Sequence, residues 1–201
     1  MIDIFAAPMV HSFASNTYIL SSDGECAIVD PSVPYSESYL RGRLKYILLT
    51  HAHFDHMLDI DEWVSATGAT VVVSKYDEAA LSDPYTNAYF LFTGKRMGYN
   101  GDAMTVDESD ALMLGSDRID VIALPGHTPG SVGYMMDNTL IVGDTVFAGG
   151  GYGRCDLPGG DFSLLSSSIK RILALNDDTE LLCGHGEATT VREYKRYFRN
   201  F

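Results

Sequence analysis

Short apolar runs separated by turn residues dominate the first third of the chain and predict β-strands. Two such runs, residues 16–20 and 25–29, flank Asp23-Gly24, a dipeptide typical of a tight hairpin. Residues 46–50 form another short apolar run, as expected of a strand buried on both faces. This strand leads directly into His51, so a polar loop follows a buried strand.

Helical spacing of apolar positions appears in four later stretches. Apolar residues recur at helical intervals over residues 57–64, and Gly68 supplies a stop. Residues 76–81 predict a short helix, residues 161–175 a longer one with Asp161 as its N-cap, and residues 191–199 a final one.

Further strand patterns follow in the second half of the chain. They lie at residues 111–114, 118–124, 132–136, 139–142 and 180–183. Predicted strands come first along the chain, predicted helices follow, and a shorter series of strands and helices completes it. This order predicts an α/β fold of two sheets with helices outside, in preference to one doubly wound sheet.

Residues 83–110 interrupt this rhythm with glycine, proline and many aromatic side chains. Two interpretations stay open for this segment, a packed edge of the fold or a mobile lid over a pocket. The length of 201 residues predicts a single domain spanning residues 1–201, with residues 83–110 as its lid or edge insertion.

Composition narrows the classes of function. The net charge of -13 disfavours binding to nucleic acid, because such a field repels phosphate backbones, and a small-molecule substrate is expected instead. The first residues do not resemble a signal peptide, and no apolar run reaches the length of a membrane span, so a soluble, cytoplasmic protein is expected. The sequence carries no indication of the oligomeric state.

Five of the six histidines fall at strand ends or in loops just after strands, where a rigid scaffold presents reactive groups. Packing gives no reason to cluster three imidazoles and a carboxylate within six residues, whereas neutral imidazole and carboxylate suit zinc or iron. His11 is interpreted as an ordinary polar residue. The five are His51, His53, His56, His127 and His185.

The spacing predicts two metal ions. His51 and His53, two residues apart in an extended loop, can point at one ion. Asp55 and His56 lie beyond the bend and can face a second ion, while Asp144 ends another predicted strand with a carboxylate that can bridge both. A water held between two cations loses its proton near neutral pH and becomes a nucleophile.

Four motifs resemble those of the metallo-β-lactamase superfamily, and together they extend over most of the chain. They are THAHFDH (50–56), PGHTPGS (125–131), GDTVF (143–147) and GHG (184–186). The resemblance implies an αββα sandwich, in which two mixed β-sheets carry helices on their outer faces and the metal site lies at one sheet edge.

The resemblance also implies a ligand set of two divalent metal ions, zinc first, with iron or manganese as alternatives. The first metal is assigned to His51, His53 and His127; the second to Asp55, His56 and His185; and Asp144 bridges them. Asp30 matches an early acidic position of the superfamily and is expected to orient a ligand histidine. Aspartate rather than cysteine at position 144 departs from the true zinc β-lactamases and disfavours antibiotic hydrolysis.

Residues 149–161, GGGYGRCDLPGGD, are similar to the loop that follows the bridging aspartate in glyoxalase II-like proteins, especially the short, single-domain ones. The similarity implies a hydroxyacylglutathione hydrolase-like thioesterase, which uses a metal-bridging hydroxide as nucleophile and Asp55 as the catalytic proton carrier. Arg154 in this loop is expected either to contact substrate or to form a structural ion pair.

One departure concerns substrate choice. Full-length glyoxalase II carries a helical C-terminal extension that binds glutathione, whereas this sequence continues for only 16 residues after His185. Recognition of glutathione is therefore not carried over. Two alternatives use similar motifs, a lactonase and a persulfide (sulfur) dioxygenase with one iron held by the equivalents of His51, His127 and Asp144.

Overall fold

The computed structural model describes residues 1–198 and contains two six-stranded mixed β-sheets. The first sheet has the spatial order β1 (Asp3–Ala6), β2 (Tyr18–Ser22), β3 (Glu25–Val29), β4 (Arg43–Leu48), β5 (Thr70–Ser74) and β6 (Ala103–Val106). The remaining strands, in chain order, are β7 (Ala111–Leu114), β8 (Asp117–Ala123), β9 (Val132–Met136), β10 (Thr139–Gly143), β11 (Val146–Phe147), β12 (Gly151–Tyr152), β13 (Glu180–Cys183) and β14 (Thr189–Thr190). The second sheet has the order β14-β13-β10-β9-β8-β7, while β11 and β12 form a separate ribbon.

Strand direction explains why one edge of the sandwich collects the functional loops. Strands β3, β4, β5 and β6 pair in parallel, as do β10 and β13. Strand β8 runs the same way as β10, because each pairs antiparallel with β9. Within each sheet, the loops that follow these strands therefore leave from the same edge.

Side-chain alternation along the strands produces three apolar layers. In β2, Tyr18 and Leu20 enter the layer between the sheets, where they join Val121 and Tyr134 of the second sheet, while Ile19 points to the outer face. The completely buried Trp63 of α1 (Ile60–Thr67) lies in the layer on that outer face.

On the other side of the sandwich, α3 (Phe162–Leu173) and α4 (Val191–Lys195) cover the second sheet through Leu165, Ile169 and Tyr194. The predicted N-cap of α3 is confirmed, because the Asp161 carboxylate accepts hydrogen bonds from the backbone N–H groups of Ser163 and Leu164. The predicted αββα sandwich is confirmed.

Two predicted helices differ from those in the structure. Residues 76–81 contain a 3-10 turn, Glu78–Leu81, instead of an α-helix. The final helix, expected over residues 191–199, comprises Val191–Lys195, where only Val191 and Tyr194 are buried. Arg199 lies outside the described residues.

The segment of residues 83–110 combines buried anchors with an exposed helix. Asn87 and Tyr99 are buried, and the Asn87 carbonyl accepts a hydrogen bond from the Phe54 backbone. Between these anchors, α2 (Tyr89–Thr93) has no buried residue. The lid role of this segment and the single-domain description of the chain stay predictions. In the part of the chain that the structure describes, no helix has the length and apolar character needed to cross a bilayer.

Candidate metal centre

The structure brings all seven predicted ligands together at one edge of the sandwich. Each lies in a loop that follows a strand: four after β4, one after β8, one after β10 and one after β13. Their ligand atoms fall into three groups, each within 4.8 Å: His51, His53 and His127; His51, His56 and Asp144; Asp55, His56 and His185. By contrast, His11 bonds to Asp59 and belongs to none of these groups.

Three ring nitrogens converge in the first group. Nδ1 of His53 lies 3.1 Å from Nε2 of His51 and 2.9 Å from Nε2 of His127. Burial lowers the pKa of His51 well below its ordinary value, and burial together with His127 lowers the pKa of His53 to about 3. Neutral imidazoles are therefore favoured at His51 and His53, and neutral imidazole is the metal-binding form.

Neighbouring groups fix which nitrogen of two rings carries the proton. Nδ1 of His127 donates to the Arg154 carbonyl at 2.6 Å, so its Nε2 presents a lone pair to the group. The Thr50 hydroxyl donates to Asp30 and so accepts from Nδ1 of His51, 3.1 Å away. Nε2 of His51 therefore also presents a lone pair. These proton positions follow from the hydrogen-bond network.

Asp144 lies between the groups. Its Oδ1 is 3.3 Å from Nε2 of His56, and its Oδ2 is 3.6 Å from Nε2 of both His127 and His185. Asp55 completes the outer group, with Oδ2 3.2 Å from Nε2 of His185. This placement suits a bridging carboxylate.

The charges favour a cation at this position. Burial lowers the pKa of His56, but the carboxylates of Asp30 and Asp144 outweigh it and hold that pKa well above its ordinary value. Burial likewise acts to raise the pKa of Asp144, and His56 and His127 reverse this, so its pKa is lowered. The field that favours a proton on His56 also favours a divalent cation.

Unpartnered buried atoms provide a test of whether metal ions fit. Nε2 of His53, Nε2 of His56 and Oδ1 of Asp144 are buried without a hydrogen-bond partner. Buried polar atoms without partners are rare in folded proteins and call for an explanation. Two of these atoms, on His56 and Asp144, belong to residues of one group and lie 3.3 Å apart. A divalent ion bound by His56 and Asp144 would give both atoms a partner, so these residues fit metal binding, and the individual ligand roles stay predictions.

Asp30 and Arg154 lie next to the ligands rather than among them. The Asp30 carboxylate accepts a hydrogen bond from Nδ1 of His56 at 2.8 Å, which directs Nε2 of that ring toward Asp144. The Arg154 side chain instead reaches the rim, where it donates two hydrogen bonds of 2.7 Å to Asp156. The ion pair expected as one alternative for Arg154 is thus present.

Asp77 is a supporting residue that sequence reasoning missed. Its buried carboxylate accepts hydrogen bonds from the backbone N–H of Ala52, the backbone N–H of Gly130 and the Thr128 hydroxyl. Asp77 therefore joins the loop of His51 and His53 to the loop of His127. A lone aspartate in the loop after β5 carries no sequence signal for such a role.

Gly153 allows its loop to lie close to Asp144 and His127. A Cβ atom at this position would lie 2.0 Å from the Asp144 carbonyl oxygen and 2.9 Å from Nδ1 of His127. Only glycine lets the loop pass this close to both residues. The same loop then places the Arg154 carbonyl against His127.

A pocket of about 320 Å³ opens onto these ligands and is lined by Phe13, Phe54, Phe92, Phe147 and Leu157 besides the metal-binding groups. A larger groove of about 430 Å³ runs beside β1, but it contains none of the predicted ligands. The ligand groups therefore identify the smaller pocket as the functional one.

Comparisons with known proteins agree with this geometry. The family model described as the metallo-beta-lactamase superfamily matches residues 12–185. The probable metallo-hydrolase YqgX of Bacillus subtilis (strain 168) is 33% identical over 184 residues, which cover 88% of this chain and 87% of the relative. The hydroxyacylglutathione hydrolase GloC of Haemophilus influenzae is 32% identical over 207 residues, with 93% and 92% covered.

Among solved structures, the BLEG-1 B3 metallo-beta-lactamase matches with a TM-score of 0.85 and 31% identity, over 98% of this chain and 97% of that chain. The chain therefore belongs to the metallo-beta-lactamase superfamily and is a metallo-hydrolase of that fold.

Proposed function

We propose that the protein is a dinuclear metal-dependent thioesterase of the glyoxalase II type, which hydrolyses an acylthiol to a carboxylic acid and a thiol. The observation that carries the proposal is the contact of the glyoxalase II-like loop with the site. In that loop Gly153 packs against Asp144, and the Arg154 carbonyl bonds to His127. The similarity to the Haemophilus influenzae hydroxyacylglutathione hydrolase supports the same chemistry.

Seven residues are assigned to two metal ions. In this proposal His51, His53 and His127 would hold the first, Asp55, His56 and His185 would hold the second, and Asp144 would be shared between them. When bound, such ions would lower the pKa of a water molecule and polarise a substrate carbonyl. Asp30, Thr50 and the Arg154 carbonyl fix the ring orientations before substrate arrives.

Asp55 is the expected proton carrier. Burial acts to raise its pKa, but hydrogen bonding to His185 and the proximity of His56 reverse this, so its pKa is lowered. Its carboxylate is therefore ionised at neutral pH and is a weak base, so it would pass a proton on rather than retain it. A carbon–oxygen bond forms, the carbon–sulfur bond breaks, and the sulfur leaves as a thiolate. Because a thiolate is a good leaving group, no dedicated general acid is required.

The test loads purified protein separately with zinc, iron and manganese and measures metal content beside activity. Substrates are S-lactoylglutathione, an uncharged acylthiol, a lactone, a β-lactam, and glutathione persulfide with oxygen consumption recorded. We expect two metals per chain and thiol release from at least one acylthiol. One iron per chain with oxygen consumption would establish the dioxygenase instead. Lactone opening without thiol release would establish the lactonase.

Two variants sharpen this test. Asp144→Asn is expected to lower kcat/KM for the acylthiol by about 1,000-fold or more, because it removes the carboxylate between the two metal groups. Asp137→Asn serves as the matched control, since Asp137 lies exposed in the turn between β9 and β10. Equal activity of the two variants would contradict the assigned centre.

A further inference from the structure

The mouth of the metal pocket has an aromatic wall. Phe13, from the segment before β2, is 66% exposed, and Phe92 of α2 is 50% exposed. The ring centroids of Phe92 and Phe54 lie 5.8 Å apart, and Phe147 lies 6.1 Å from His185. Exposed apolar rings around a concave polar centre are typical of a ligand-binding surface.

These rings line the same pocket as the predicted ligands. Phe54 lies between His53 and Asp55 in the chain, and Phe147 contacts His185 edge to face. A thioester whose carbonyl reaches the metal ligands must therefore place its organic groups against phenyl rings. Burial of apolar substrate surface against such rings is favourable, whereas burial of an unpaired charge is costly.

The cation that lines this pocket is already neutralised. The Arg154 guanidinium donates two 2.7 Å hydrogen bonds to Asp156, and its centre lies 5.7 Å from the Phe92 ring. Hydrogen bonding to Arg154 lowers the pKa of Asp156 to about 2, so the pair stays ionised at neutral pH. A substrate carboxylate that bound Arg154 would replace its bidentate pair with Asp156 by another bidentate pair, so this contact would add little to the binding free energy.

The net charge of the protein opposes an anionic ligand at long range. The other ionisable side chains of the lining besides the histidines are the acidic Asp55 and Asp144. Two bound divalent ions would offset the charge of these carboxylates, so selection against anions rests on the net charge of -13 and on the absence of an unpaired Arg154. The long-range field of this net charge disfavours the approach of anions.

We propose that the groups flanking the thioester are apolar and carry no net negative charge, so that peptide-thiol conjugates such as those of glutathione are poor ligands. This inference rests on the proposed function and narrows it to a substrate class. Phe13 and Phe92 form the contact surface for the apolar group, and Arg154 at the rim is already paired with Asp156.

The test uses a matched pair of thioethers, which cannot be hydrolysed. Hexyl 2-hydroxyethyl sulfide and S-hexylglutathione share the hexylthio group but differ in the charged tripeptide. Calorimetry on metal-loaded protein is expected to show that the neutral sulfide binds at least ~10-fold more tightly, a difference of about 1.4 kcal/mol. Equal or tighter binding of S-hexylglutathione would overturn the inference.

Two variants and one control separate the contribution of the aromatic wall from that of the ion pair. Phe92→Ala is expected to weaken binding of the neutral sulfide about 10-fold. Phe90→Ala, on the same exposed helix but outside the pocket lining, is expected to change it by less than about 2-fold. Asp156→Asn frees Arg154 and is expected to strengthen binding of S-hexylglutathione about 10-fold, with little effect on the neutral sulfide.

The outcome is distinguishable from that of the proposed function, because binding of a thioether requires no hydrolysis. If the neutral sulfide binds preferentially but no acylthiol is cleaved, the assignment of the reaction fails while the pocket's selectivity stands. If acylthiols are cleaved and Phe92→Ala and Phe90→Ala bind the sulfide equally, the reaction stands and the selectivity inference fails.

Discussion

Asp30 Oδ2 lies 2.8 Å from Nδ1 of His56, and both side chains are almost completely buried. The same Asp30 carboxylate accepts hydrogen bonds from the backbone N–H and the hydroxyl of Thr50, each at 2.8 Å. Asp30 thereby connects the end of β3 to the loop after β4. It also keeps the proton of a neutral His56 on Nδ1, so that Nε2 is available for a metal ion.

This relationship predicts the effect of Asp30→Asn. The two oxygens of the Asp30 carboxylate accept three hydrogen bonds, two from Thr50 and one from His56. Asparagine has only one side-chain oxygen, so at least one of these donors would face the amide NH2 group. Asparagine tolerates the left-handed backbone of Asp30 (φ +53°), which preserves the local fold. We expect affinity for the second metal to fall about 10- to 100-fold. Competition with a chromophoric chelator measures this, and Asp137→Asn, also at positive φ, is the control.

Gly153→Ala tests the contact between the loop after β12 and the centre. The added methyl group would lie 2.0 Å from the Asp144 carbonyl, so the loop must move and its bond from His127 to Arg154 must lengthen. We expect metal affinity to fall about 10-fold or more. Gly151→Ala, whose nearest neighbour is Phe147 at 3.3 Å, is expected to retain affinity. Similar metal titrations for the two variants would contradict this role.

Asp77→Ala is expected to reduce stability as well as metal binding. It leaves two buried backbone N–H groups, of Ala52 and Gly130, without an acceptor, at a cost of about 2–4 kcal/mol in the free energy of unfolding. Urea denaturation of metal-free protein measures the change. Asp102→Ala, at an exposed aspartate, is expected to cost less than about 1 kcal/mol. Equal losses would show that Asp77 does not brace the two loops.

The lowered pKa of Glu25 predicts that the stability of the fold depends on pH even without bound metal ions. Hydrogen bonds from Lys45 and the Gly115 backbone lower its pKa from 4.5 to about 2. The folded state therefore takes up the proton less readily than the unfolded state. The stabilisation is complete above pH 4.5 and is lost as the pH falls toward 2.

The measurement compares Tm of chelator-treated wild type and Glu25→Gln across this range. The Tm of wild type is expected to exceed that of Glu25→Gln near neutral pH, and this difference in Tm is expected to shrink as the pH falls toward about 2. Lys45→Met, which removes one partner of Glu25, is expected to give a smaller effect in the same direction. A difference in Tm that stays constant with pH would contradict the contribution of Glu25.

Much of the fold followed from local patterns. The hairpin at Asp23-Gly24 was predictable because both residues adopt positive φ, which this dipeptide tolerates. The N-cap at Asp161 was equally local. By contrast, edge strand β1 exposes three of its four residues, edge strand β6 exposes two of four, and α2 buries none, so no alternation or helical period marked them.

The candidate site likewise combines residues that the sequence predicted with residues that it did not. The seven converging side chains lie in short motifs whose residue types packing does not explain, and the resemblance to superfamily motifs grouped them before the structure brought them together. The role of Asp77 depends on contact with Thr128, 51 residues later, and that of Gly153 on the approach of its loop to Asp144. Such contacts arise only once the two sheets pack, and a single sequence carries no trace of them.

Each half of the chain supplies an incomplete set of ligands to the centre. His51, His53, Asp55 and His56 come from the half that forms the first sheet, and His127, Asp144 and His185 come from the half that forms the second. Bound ions would therefore act as a cross-link between the halves, formed only after the sheets dock. Metal supply would then add to the stability of the folded chain, because ions that bind only the docked halves shift the equilibrium toward that state.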